Sequence, residues 1–243
     1  MNASFLISLP HCSSRVPPGI RERMALTDEE VADSQDLGTA EVFGGLPARR
    51  TLMAEWSRLF CDLNRSPQNE GEKGVIARTD YRGRPVFLPG LYPDAATAAK
   101  WIRDYYRPYH DRLAVALSDP LIRGLFDCHS LNGTGPKDAP DAGRQRQDIT
   151  LSNNGEVDGG PVHQPSEPTC PPEIITGVAA FFKGAGFSVS INDPYKGGFI
   201  TVHYGKRLIR QGRFAMQIEM NQDLCIDAQT GKLDAGKTRD TSA

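Results

Sequence analysis

No CxxC pair occurs among the five cysteines, Cys12, Cys61, Cys128, Cys170 and Cys225. Their odd number and wide scatter exclude a disulfide framework or a zinc ribbon as the organising feature. An excess of one charge is equally lacking. The chain has 28 Lys and Arg against 30 Asp and Glu, a formal net charge of −2, so no general field draws nucleic acid or an anionic membrane. Long hydrophobic runs are missing too. The apolar start Phe5–Leu9 has no basic flank and runs straight into Pro10, which is too short for a signal peptide, and nothing approaches a membrane span. There is no repeat, no domain linker and no HExxH helix. The expectation is a reduced, cytoplasmic protein of one catalytic domain over all 243 residues. That length buries a core without disulfide staples.

What is there alternates between strand and helix. Phe5–Leu9 reads as a buried strand stopped by Pro10. Thr27 and Glu30 form a capping-box pattern that opens a helix to about Phe43. Leu52–Met53 and Arg58–Leu63 read as strands around a turn near Glu55, followed by a long loop over 64–93. Asp94 caps a helix from Ala95 to Leu117, kinked where Pro108 removes a donor. Gly124–Asp127 is a strand ending at Cys128-His129-Ser130, with loops over 131–147 and 153–168 on either side of a strand at Asp148–Leu151. A helix starts at Pro171-Pro172-Glu173 and closes at Gly184 or Gly186, and Phe187–Ile191 is a strand. Over Arg213–Asn221, Phe214, Met216, Ile218 and Met220 alternate with Ala215, Gln217, Glu219 and Asn221, a clear strand signal. The polar tail from about residue 228 leans towards disorder. This pattern predicts an α/β sheet covered on both faces.

Polar groups collect where strands end, and open α/β sheets bind ligands there. His11 and His129 each follow an apolar strand and present imidazoles suited to zinc. In an extended chain Asp127 shares the face of His129, whereas Cys12 and Cys128 turn away and read as core fillers. Spacing alone leaves the histidines open between ligands and satisfied structural groups. Glu219 is the lone carboxylate of its strand, either a general base or half of an ion pair. Arg58, Asp62 and Asn64 share one strand face, and Arg65 follows, a grouping suited to a carboxylate. Lys196-Gly197-Gly198 allows close backbone approach to a ligand, or is a simple turn. His203, Tyr204 and His110 are open between polar site groups and packing, at a strand end for His203-Tyr204 and on a helix for His110 with Tyr109; His163 sits in a loop.

Five short motifs in one order carry a resemblance. They are Leu9-Pro10-His11; Ser57-Arg58 with Asp62-Leu63-Asn64-Arg65; Asp127-Cys128-His129-Ser130; Tyr195-Lys196-Gly197-Gly198 with His203-Tyr204-Gly205; and Gln217-Ile218-Glu219. Together they resemble the N-formylglutamate amidohydrolase family from about residue 5 to 222. The resemblance implies a phosphorylase/hydrolase-like, zinc carboxypeptidase-like α/β fold: a mixed, mostly parallel central sheet flanked by helices. It also implies one Zn2+ per chain, held by His11, His129 and a carboxylate. Ser14 stands where the peptidase spacing would put that carboxylate; the resemblance instead implies Asp36, which fits the family's acidic position near the end of the helix from Thr27, with Asp33 one turn away. Glu219 is implied as the general base and Arg58 as the oxyanion partner. Asn64, Arg65, Tyr195, Lys196, Gly197 and Gly198 are implied as substrate-binding groups.

The expected function is therefore zinc-dependent hydrolysis of the N-formyl amide of an acidic amino acid such as N-formyl-L-glutamate. The partner is a small N-acyl amino acid, with no nucleic acid and no membrane. Two alternatives stay open: hydrolysis of another N-acyl amino acid or small peptide, and a non-catalytic metal- or ligand-binding protein on the same scaffold. A thiol hydrolase using Cys128 is opposed by strand alternation.

Overall fold

A computed structural model describes residues 4–69, 71–162 and 167–242 of the chain; His163 lies outside the described residues. Six strands form one sheet: β1 (Phe5–Leu9), β2 (Arg50–Met53), β3 (Gly124–Leu131), β4 (Ile149–Ser152), β5 (Val189–Ile191) and β6 (Phe214–Asn221). The helices are α1 (Pro18–Arg21), α2 (Asp28–Ala32), α3 (Thr39–Phe43), α4 (Ala95–Trp101), α5 (Arg107–Ala116), α6 (Pro172–Gly184), α7 (Phe199–Ile209) and α8 (Ala235–Ser242). The sheet order is β2-β1-β3-β6-β4-β5, and only the β4–β6 pair is antiparallel. The α/β fold with a mixed, mostly parallel sheet expected from the sequence is the one observed. None of the described helices is long and apolar enough to cross a membrane.

Two features position the site. First, β1, β3 and β6 run parallel side by side, so their carboxyl ends open at one edge, with His129 and Glu219 as register partners. Second, helices cover both faces. On one face Tyr109 of α5 meets Ser8, and Thr201 of α7 donates to Asp127. On the other, Met220 and Cys225 crowd Gly38 at the entrance to α3.

Several local expectations are corrected. The capping box forms as read, with Thr27 and Glu30 bonded reciprocally. Yet the helix ends at Ala32 rather than running to Phe43. Gly38 then takes φ +82°, and a Cβ there would come within 3.0 Å of Cys225. The backbone amide of Asp36 donates to the His11 carbonyl at 3.0 Å, so this broken stretch is tied to the end of β1.

Arg58–Leu63 is a series of turns, not a strand. Leu59, Phe60, Cys61 and Leu63 are all buried, which a two-sided alternation cannot satisfy; the turned chain instead brings Arg58 and Asp62 together at 3.0 Å. The helix over 95–117 contains a π turn at Ile102–Tyr106, immediately before Pro108, where a proline needs relief from regular α-helical bonding. His203 and Tyr204 lie inside α7, whose buried Ile200, Tyr204 and Leu208 recur every fourth residue. The expected disordered tail ends in α8, where Asp234 accepts from the Lys237 amide and the Thr241 hydroxyl donates to the Leu224 carbonyl.

Candidate active site

His11 stands just beyond Pro10 at the end of β1, His129 inside β3, and Asp36 in the irregular stretch before α3. All three are buried. His11 Nε2 donates to Asp62 Oδ1 at 2.7 Å, which leaves Nδ1 as the ring's lone-pair atom. That Nδ1 is buried without a hydrogen-bond partner and lies 3.3 Å from Asp36 Oδ2. The same Asp36 oxygen is 2.8 Å from His129 Nδ1. One donor atom from each residue therefore fits within a 4.8 Å span.

The supporting groups are equally defined. Asp62 accepts from the Asn64 amide and from Arg58 Nη2, while Arg58 Nη1 donates to Asp36 at 3.1 Å. Burial would raise both carboxyls, but His11 and Arg58 outweigh it and hold Asp36 and Asp62 far below the usual carboxylate range. His129 Nε2 lies 3.0 Å from Asn64 Nδ2 and 3.3 Å from Asp127 Oδ2. Burial disfavours its charged form, yet Asp127 and Asp36 together push its pKa well above the ordinary value.

Glu219 faces a different balance. Burial dominates and raises its pKa to about 7, despite nearby His129 and Arg58. Its Oε1 accepts from Gln217 Nε2 at 2.6 Å, and Gln217 Oε1 accepts from the Gly198 amide at 2.6 Å. Gly198 is required where it stands, because a Cβ would run into the Asn64 side chain. Asn64 Oδ1 accepts from the Ile200 amide at 2.7 Å, so its amide locks the start of α7 to the site.

Ten of the residues singled out from the sequence line one cavity of about 320 Å³: His11, Asp36, Arg58, Asn64, Arg65, His129, Tyr195, Gly197, Gly198 and Glu219. Lys196 is not among its lining residues; its amine pairs with Glu156 at 3.3 Å. Asp33 reaches the rim but is held by Tyr81 and Arg82, so Asp36 rather than Asp33 joins the histidines. Cys128 is buried, its thiol pushed well up by burial, and it does not line the cavity. Ser14 also lies outside it.

Sequence reading missed Asp62 as the partner of His11, although its four-residue spacing from Arg58 is visible. It also missed Arg146, which lines the cavity from an irregular loop with no periodic signal.

The donor set fits a divalent metal. Two imidazoles and one carboxylate converge, the His11 lone pair is orphaned and buried, and the cavity is lined by six carboxylates against four Arg and Lys.

Residues 3–226 match the family model described as N-formylglutamate amidohydrolase. The chain belongs to this family. It is 29% identical over 240 residues to an N-formylglutamate deformylase of Pseudomonas aeruginosa, covering 93% of this chain and 83% of that protein. A deformylase of the same description from Pseudomonas putida is 27% identical over 253 residues, covering 92% and 82%. The crystal structure of an N-formylglutamate amidohydrolase from Ralstonia eutropha superposes with a TM-score of 0.76 at 22% identity, covering 99% of this chain and 90% of that one. A gene product of Agrobacterium tumefaciens gives 0.65 at 20% identity, covering 96% and 83%. These two structural likenesses bear on the fold.

Proposed function

We propose that this family member is a zinc-dependent amidohydrolase that cleaves N-formyl-L-glutamate to formate and glutamate. The observation that carries the reading is the convergence of His11, Asp36 and His129 in the cavity that holds Glu219. It is supported by relatives that bear the name N-formylglutamate deformylase.

His11, Asp36 and His129 would hold one zinc, which would supply a Lewis acid for the formyl oxygen and lower the pKa of water. Glu219, with its pKa raised to about 7, is poised to take a proton from the attacking water near neutral pH. The water oxygen bonds to the formyl carbon, the carbon–nitrogen bond breaks, and Glu219 returns the proton to the leaving amine. Gln217 donates to Glu219 Oε1 and so orients the carboxyl.

Arg58 spends both terminal nitrogens on Asp36 and Asp62; it holds these carboxylates and supplies positive charge beside the developing oxyanion. Arg65 lies 3.5 Å from Asp62 and keeps a side chain 41% exposed, which leaves its guanidinium able to meet a substrate carboxylate. Asn64, Gly197 and Gly198 shape the wall, and Tyr195 closes it.

Two assays test the reading. Purified protein should contain about one zinc per chain, and His129→Ala should lose it. Turnover should favour N-formyl-L-glutamate over N-acetyl-L-glutamate and over N-formyl-L-leucine. Preference for the leucine derivative would overturn the acidic substrate, and metal without turnover on any of the three would leave a binding protein.

A further inference from the structure

Arg146 is a buried cation that the steps above do not use. Its Nε and Nη2 donate to the two oxygens of Asp141 at 2.7 and 2.8 Å, with the two side chains only 3% and 2% exposed. Nη1 donates to the Asn132 carbonyl at 3.2 Å. Nη2 makes one further bond, to the Tyr195 hydroxyl at 3.2 Å, with the guanidinium carbon 5.5 Å from that ring's centroid. One planar fork thus ties the loop over 132–146 to the segment carrying Tyr195, and both residues line the cavity.

A buried ion pair is a poor device for stability alone, because its desolvation offsets the attraction. The direction of the bond to Tyr195 is informative. A phenol that accepts from a guanidinium keeps its own proton for another acceptor. Tyr81, the other phenol in the cavity wall, donates its proton to Asp33 at 2.6 Å. Among the described residues no acceptor takes the proton of Tyr195, and the space beside it is the cavity.

We propose that Arg146 is a positioning residue: it fixes the Tyr195 phenol so that its O–H donates to an oxygen of the bound N-formyl amino acid. This rests on the functional reading above. The role needs a planar fork that makes four bonds at once, which a lysine ammonium cannot reproduce.

The test compares Arg146→Lys, Tyr195→Phe and the double variant by kcat/KM on N-formyl-L-glutamate, with zinc affinity from chelator competition. Each single variant is expected to lose about tenfold, the effect of one hydrogen bond. The double variant should lose no more than either single one, with zinc affinity unchanged. Wild-type rates in Arg146→Lys, or losses that multiply in the double variant, would overturn the proposal, since a purely structural role persists without the phenol. Should Arg146→Lys fail to fold, Asp141→Asn carries the same comparison, because it releases the fork while keeping the arginine. Absence of turnover in the wild type would instead sink the functional reading, and this proposal with it.

Discussion

Glu219 shows how much a single residue discloses. Its strand pattern is plain in the sequence, and an acid amid Met216, Ile218 and Met220 marks a group either paired or put to use. Which of the two holds depends on neighbours that spacing cannot supply. Its hydrogen-bond partner is Gln217, not a cation, and burial wins over His129 and Arg58. Glu219→Gln keeps the shape and the Gln217 contact but removes the proposed base. It should lower kcat by about 10²- to 10⁴-fold on N-formyl-L-glutamate while metal content stays at the wild-type level. Steady-state kinetics beside elemental analysis checks this, and a variant as fast as wild type rules Glu219 out as the base. Asp36 was legible only through the family resemblance, which pointed to an acid near the end of the capped helix, with Asp33 one turn away. The break that delivers it was not, because it depends on Gly38 fitting against Cys225, a contact made across the fold.

Elements read well where one local signal dominated and poorly where two competed. The capping box, the Asp94 cap and the alternation of β6 all appear as read. The α7 helix was hidden by Phe199-Ile200-Thr201-Val202, a run that suits a strand by composition. Helix wins because Ile200, Tyr204 and Leu208 then share one buried stripe.

The Tyr204 of that stripe also reaches α5. Its hydroxyl donates to His110 Nδ1 at 3.0 Å, while His110 Nε2 donates to the Leu63 carbonyl at 2.9 Å, just before Asn64. Burial lowers the His110 pKa to about 4, mainly because the charged ring has no water. The unfolded chain then binds more protons than the folded one between that value and an ordinary histidine value of about 6.5. Stability should therefore be full above about 6.5 and fall as pH drops towards 4, by up to roughly 3 kcal/mol from this one residue. Urea unfolding from pH 4 to 7 checks it. His110→Gln should show a shallower acid limb than wild type, and parallel limbs would mean that His110 does not carry the effect.

At the scale of the molecule, the apolar core and the charged site are separable. Leu6, Leu9, Leu125, Leu151, Ile175, Ile200 and Leu208 are fully buried between sheet and helices without help from the cavity. Against His129 of β3 and Glu219 of β6, the site gathers three segments outside the strands, the residues after β1, the stretch before α3 and the turns over 57–65, which meet at Asp36, Asp62 and His11. That separation was legible only in part: five motifs announced the meeting, but which loops carried them required the sheet order.

It also predicts what metal removal does. Stripping zinc should leave the sheet folded while removing activity, and adding it back should restore both rate and heat resistance. A ligand that binds only the folded state at 1,000 times its Kd stabilises by about 4 kcal/mol, and for a chain of this size each kcal/mol shifts Tm by roughly 2–4 °C. Tm should therefore rise by on the order of 10 °C between chelator and saturating zinc. Asp36→Asn should abolish that rise, whereas Asp33→Asn, which alters a carboxylate held by Tyr81 and Arg82, should keep it. Calorimetry with and without zinc decides between the two carboxylates. A zinc-dependent rise that survives in Asp36→Asn but not in Asp33→Asn would place the third ligand one turn earlier.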